Sequence, residues 1–189
     1  MCRKAADYML STDDVTRVCD SARQAGTAGA DIPLPSPEAP SRVVIDTNTV
    51  LDWLVFGDAA ACEVGAGITA GHLTWLATPH MLAELRAVLC RPLPARWNAA
   101  REHALTIDVS RWTIPCPEPA ITSHPLVCRD PDDQVFINLA RTQSPSVLLT
   151  RDRALLALRR RATTFGVLIT TAATWRPPAL HGAPETSAT

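Results

Sequence analysis

The stretch Arg42-Val43-Val44-Ile45-Asp46-Thr47-Asn48-Thr49-Val50-Leu51 carries the main clue to the architecture. Three β-branched residues in succession, Val43 to Ile45, predict a short strand buried on both faces, and Asp46 falls at its carboxyl end. Asn48 is the expected cap of the following helix, whose apolar residues are Val50, Leu51, Leu54 and Val55. Downstream the pattern repeats. Leu73 to Ala77 reads as a second strand; Thr78-Pro79 then opens a helix with Met81, Leu82, Leu85, Val88 and Leu89 on its apolar face, and Pro92 closes it. Residues 95–107 fit a helix, and Pro115, Pro117, Pro119 and Pro125 make the stretch up to 127 loop-like. A helix is expected from Pro131, with Val135, Phe136, Leu139 and Ala140 inward. Val147 to Thr150 is a third buried strand, followed by Asp152 and a helix bearing Leu155, Leu156 and Leu158; Val167 to Ile169 is a fourth strand. Strands alternating with helices imply an α/β fold, a parallel β-sheet of about four to five strands flanked by helices.

In such a sheet, ligand sites form beyond the carboxyl ends of the strands. Asp46 and Asp152 each follow a buried strand, so both are expected on one rim. Glu84 stands between Met81 and Val88, at the border of an apolar helix stripe where a glutamate is unusual. Taken alone it reads equally as a surface glutamate. Asp133, in Arg129-Asp130-Pro131-Asp132-Asp133, sits at a helix start, where a capping carboxylate is the plainer explanation. Four carboxylates gathered on one rim would repel one another without a cation. A hard, all-oxygen donor set suits Mg²⁺ or Mn²⁺, which can activate water and stabilise charge on a phosphoryl group.

The segments RVVIDTNTVLDWLVF, TPHMLAELRAVLCRPL, RDPDDQVFINLA and VLLTRDRALLAL together resemble the PIN domain, and within it the subgroup of toxins from toxin–antitoxin pairs. The resemblance spans residues 42–175 and implies a Rossmann-like sheet and Mg²⁺- or Mn²⁺-dependent cleavage of RNA to a 5′-phosphate product. By the same resemblance Asp46, Glu84, Asp133 and Asp152 are the catalytic, metal-holding acids. Asp130 or Asp132 stands in for Asp133 if the register shifts. Asn48 matches a polar position that orients the first aspartate, and Thr150 supplies a hydroxyl. Arg151 departs from the pattern, replacing the glycine usual before the fourth aspartate. The implied partners are an RNA substrate and a cognate antitoxin protein, with a homodimer possible. Two other readings compete. One is a PIN fold without activity, binding RNA or protein. The other is a haloacid-dehalogenase-type phosphatase, which needs a second aspartate where Asn48 stands.

The remaining sequence sets boundaries. Hydrophobic residues make up 47% and charged residues 20%, enough for one core. No apolar run suits a membrane span, and the first residues lack a secretory signal, so a cytoplasmic location is expected. Net charge is −1, which does not by itself announce a nucleic-acid binder, and Arg159-Arg160-Arg161 is the one local basic cluster. Six cysteines without a Cys-x-x-Cys pair are expected to be reduced thiols. Residues 1–41 are expected to be a flexible extension, with a short helix from Ser11 to about Gly26 and then a linker carrying four prolines. Residues 176–189 are expected to be a disordered tail.

Overall fold

The computed structural model describes residues 41–119, 126–143 and 146–176. The expected N-terminal helix and linker, and the tail beyond Arg176, lie outside the described residues.

Five strands form one sheet: β1 (Ser41–Ile45), β2 (Leu73–Ala77), β3 (Thr113–Pro115), β4 (Ser146–Leu149) and β5 (Val167–Thr170). All neighbours run parallel, in the order β3-β2-β1-β4-β5. In register, Val43 faces Trp75 and Val147, and Val44 faces Leu76 and Leu148. Val43 and Val44 are wholly buried, as β-branched residues in a central parallel strand should be. The chain adds strands on one side of β1 and then returns to add β4 and β5 on the other. The boundary between β1 and β4 is therefore a topological switch point, where the connecting segments part and leave a crevice at the carboxyl ends.

Among the described residues, seven α-helices accompany the strands: α1 (Thr47–Leu51), α2 (Ala59–Thr69), α3 (Pro79–Leu89), α4 (Asn98–Thr106), α5 (Gln134–Thr142), α6 (Arg153–Ala157) and α7 (Arg159–Ala162). α1 widens into a π-helical turn over Asp52–Phe56, which Gly57 ends at φ 66°. Thr78 caps α3 as expected, its hydroxyl accepting from Met81 N at 3.3 Å. The buried face of α5, Phe136 to Ala140, packs on β1 and β4 at the centre of the core.

Four expectations need correction. Asn48 does not cap the first helix: it is exposed, and Asp46 is the cap, because the chain turns helical immediately after the strand. The proline-rich stretch is not wholly loop, since β3 pairs with β2 there. Pro115 is tolerated because it ends an edge strand. Helix α2 has no counterpart in the sequence expectations, its buried face being the short set Ala61, Val64, Gly65 and Ile68. Cys62, Cys116 and Cys128 are free thiols, but Cys90, the C-cap of α3, is disulfide-bonded, so it departs from the expected reduced state.

Candidate functional site

Asp46 leaves β1 at the switch point. Its backbone N–H continues the sheet by donating to Leu149 O at 3.1 Å. The side chain is 2% exposed, and both carboxylate oxygens are engaged: Oδ1 accepts from Thr49 N at 2.6 Å and Oδ2 from the Thr150 hydroxyl. Burial raises its pKa, against hydrogen bonds from the Thr150 hydroxyl and from the backbone and side chain of Thr49 that lower it; the Asp152 charge adds to the rise. Thr150 itself is fully buried, with its backbone N–H donating to Thr170 O at 2.9 Å. Its hydroxyl also accepts from Asp152 N at 2.9 Å. One hydroxyl thus joins the ends of the two central strands. A hydroxyl can do this because it donates once and accepts through two lone pairs.

Asp152 caps α6, its Oδ1 accepting from Ala154 N at 2.6 Å and Leu155 N at 3.2 Å. That leaves Oδ2 without a hydrogen bond among the described residues. Asp133 occupies the cap position of α5 but makes no side-chain cap bond, so the capping explanation does not hold for it. Its carboxyl is pushed up to about 6, by burial first and then by the charges of Asp152, Asp130, Asp46 and Glu84. Four other carboxylates therefore act on Asp133 across the rim. The loop before α5 is pinned by Gln134, whose Nε2 donates to Leu126 O at 3.0 Å and to Asn138 Oδ1 at 2.9 Å. Its Oε1 accepts from Cys128 N at 2.7 Å.

Glu84, half-buried on α3, comes to this rim from the other side of β1. Burial raises its pKa, while His80, a hydrogen bond from Thr47 and Arg91 oppose the rise and Asp132 adds to it. Asp130 and Asp132 are exposed, with Asp130 Oδ1 accepting from Asp132 N at 3.1 Å. Asn48 is exposed beside Asp46 but does not orient it; Thr49 and Thr150 do that.

Three neighbours escaped the sequence reading. Thr47 bonds Glu84. Cys128 is a buried thiol beside Asp130, Asp133 and Asp152, its pKa raised by burial. Asp52 is a buried acid ion-paired with Arg151 at 3.0 Å, and an aspartate inside the apolar run Val50 to Phe56 was the available signal for it. Among the described residues no three His, Cys, Asp or Glu side chains close into a preformed ligand group, and like charges of this density hold apart. The donor set nevertheless fits a hard divalent cation. It is all oxygen, and a cation would relieve the repulsion that lifts Asp133.

Residues 42–154, more than half of the chain, match the family model described as the PIN domain. No curated protein matches the chain. PIN domains are generally nucleases and typically use divalent metals. A five-stranded parallel sheet with acids at its carboxyl rim, matched by the family model over its central strands, makes this chain a member of the PIN-domain family.

Proposed function

We propose that the protein is an Mg²⁺- or Mn²⁺-dependent endoribonuclease that hydrolyses RNA phosphodiester bonds, and that it is the toxin of a toxin–antitoxin pair. The observation that supports the chemistry is the meeting of Asp46 and Asp152 on the Thr150 hydroxyl at the carboxyl ends of β1 and β4, with Asp133, lifted by burial first and by neighbouring carboxylates second, on the same rim. Asp46, Glu84, Asp133 and Asp152 are the proposed holders of the metal. When bound, the cation supplies Lewis acidity and offsets charge on the phosphoryl oxygens. Asp46 is pre-oriented by Thr49 and Thr150, so little reorganisation is needed for it to act. In the reaction, water oxygen bonds to phosphorus while the bond to the 3′ oxygen breaks. The attacking water's proton passes to a carboxylate of the rim, the leaving 3′ oxygen takes up a proton from solvent to become a hydroxyl, and the other product carries a 5′-phosphate.

The proposed catalytic unit is residues 42–175, with 1–41 and 176–189 as appendages. No helix among the described residues is long and apolar enough to cross a membrane. The toxin role rests on the family resemblance. It predicts an antitoxin that covers the acidic rim with a basic side chain, since a guanidinium matches carboxylates bidentately. A cytoplasmic location and a homodimer belong to the same proposal.

The test is cleavage of a labelled RNA with Mn²⁺ by the wild type and by Asp46→Asn, alongside bacterial growth on expression of each. The wild type should release 5′-phosphate ends and slow growth. The variant should lose orders of magnitude in rate and be harmless. Cleavage at the wild-type rate by Asp46→Asn would remove Asp46 from the chemistry. Active cleavage without growth arrest would leave a ribonuclease that is not a toxin.

A further inference from the structure

Arg151 stands between Thr150 and Asp152, at the carboxyl end of β4. Its backbone position is fixed on both sides. Thr150 N donates to Thr170 O at 2.9 Å, and Asp152 N donates to the Thr150 hydroxyl at 2.9 Å. Its guanidinium is held by Asp52 Oδ1 at 3.0 Å. Asp52 is itself rigid. It begins the π-helical turn, and its carbonyl accepts from Asp58 N at 2.9 Å. The pair is lopsided: the Asp52 side chain is 10% exposed and that of Arg151 57%. The remaining guanidinium donors therefore face solvent from a place fixed by Asp52, on the residue that precedes Asp152 in the chain.

Stability does not account for this arrangement. Replacing an ion pair in a partly buried position by apolar residues is often neutral or favourable, and a pair with one half-exposed partner contributes little. The electrostatics of the rim do account for it. Asp46, Asp52, Glu84, Asp130, Asp132, Asp133 and Asp152 all lie on or beside it, so an approaching polyanion meets strong repulsion. A cation next along the chain from Asp152, and held on Asp52 rather than on the proposed metal-holding carboxylates, gives an incoming phosphate a docking point at the edge of that rim. The planar fork of arginine suits a phosphate's paired oxygens.

We propose that Arg151, aimed by Asp52, binds a phosphate of the RNA strand adjacent to the scissile one. This rests on the ribonuclease reading above and assigns to that site a substrate-positioning residue. Asp52 is a positioning residue one step further out, acting through Arg151.

The experiment compares wild type, Arg151→Gln, and the double variant Asp52→Asn with Arg151→Gln, on a short fluorogenic oligoribonucleotide with Mn²⁺. Initial rates give KM and kcat at several salt concentrations, and each protein is melted. Arg151→Gln strands a buried carboxylate and should lower the melting temperature. The double variant restores a neutral, similarly shaped pair and should recover it. Loss of one phosphate contact should raise KM about tenfold with kcat little changed. It should also flatten the dependence of log(kcat/KM) on log salt by about 0.7. Both effects should persist in the double variant. If the double variant regains wild-type KM together with its melting temperature, the pair is purely structural and the proposal falls. It falls equally if Arg151→Gln matches wild type in KM and salt slope. Those two outcomes leave the ribonuclease reading intact, provided Asp46→Asn is inactive. A wild type that cleaves no RNA brings down both. If Arg151→Gln does not fold, the double variant alone decides.

Discussion

Asp133 shows how one residue reports the state of a whole rim. Its carboxyl lies at about 6 in the folded protein against an ordinary 3.8, so between these values the folded state holds a proton that the unfolded state has lost. By linkage, stability in that window rises as pH falls. Above about 6 the group is ionised in both states, and the cost of its burial, with the repulsion of its neighbours added, counts fully against the fold. Asp46 and Glu84 are shifted in the same direction, again chiefly by burial. In metal-free buffer the protein should therefore melt at higher temperature at pH 5 than at pH 7. Asp133→Asn should melt higher than wild type at pH 7, and the two should converge towards pH 4. Melting curves followed by circular dichroism across this range check the point. A wild type and variant with parallel pH profiles would mean that Asp133 does not sense its neighbours. The residues also show what a sequence can hide. Asp46 and Asp152 were legible because each follows an apolar run and so must end a strand. Asn48 misled because a good capping residue stood two positions after a better one. The ability of Thr150 to join both aspartates depends on strands that are neighbours only in the sheet.

At the scale of elements, the π-helical turn and α2 form a unit whose packing is tight at one glycine. A Cβ built on Gly65 would lie 2.1 Å from the Trp53 ring. Trp53 has little room to retreat, since it also meets Trp75 edge-on at 6.2 Å and Trp112 at 5.4 Å. Alanine gains about 1 kcal/mol of helix propensity over glycine, but overpacking of this kind costs roughly 1–3 kcal/mol. Gly65→Ala should therefore be net destabilising in urea titration with tryptophan fluorescence. Gly67→Ala is the control, because the nearest atom there is the flexible end of Leu73 at 2.9 Å. If Gly65→Ala is as stable as Gly67→Ala, the aromatic cluster is looser than its geometry implies. The same unit marks the limit of sequence reading. Strands β1, β4 and β5 announced themselves by continuous apolar runs, β2 by a mostly apolar run broken at Thr74, and α3 by its Thr-Pro start and clean stripe. Helix α2 gave no such stripe: Ala61, Val64, Gly65 and Ile68 bury a face too small to stand out. Strand β3 is three residues long and ends in proline, so only its pairing with β2 defines it.

Across the whole molecule, the sheet order brings distant acids to one edge and leaves their repulsion to be relieved by binding. Asp46 and Asp152 follow adjacent strands, Asp133 comes from the start of the helix packed on both, and Glu84 arrives from α3. None of these positions exists in the unfolded chain, so a cation that needs several of them binds the folded state alone. Such a ligand stabilises by mass action, contributing about 2.7 kcal/mol at a hundred times its Kd. For a domain of this size that corresponds to a rise in Tm on the order of 10 °C. Mn²⁺ should produce this rise in the wild type at pH 7, with less effect at pH 5, where protons compete for Asp133. Asp152→Asn removes one ligand charge while keeping an oxygen that can still cap α6, so the fold should persist. Without metal this variant should melt slightly higher than wild type, because Asp133 and Asp46 lose a repelling neighbour. With metal the order should reverse, since its response to Mn²⁺ is weaker. The crossing of the two melting series is the diagnostic feature, because a general effect of divalent salt on surface charge would shift both proteins in parallel. Parallel shifts would place the cation away from the rim, whatever the carboxylates there do to one another.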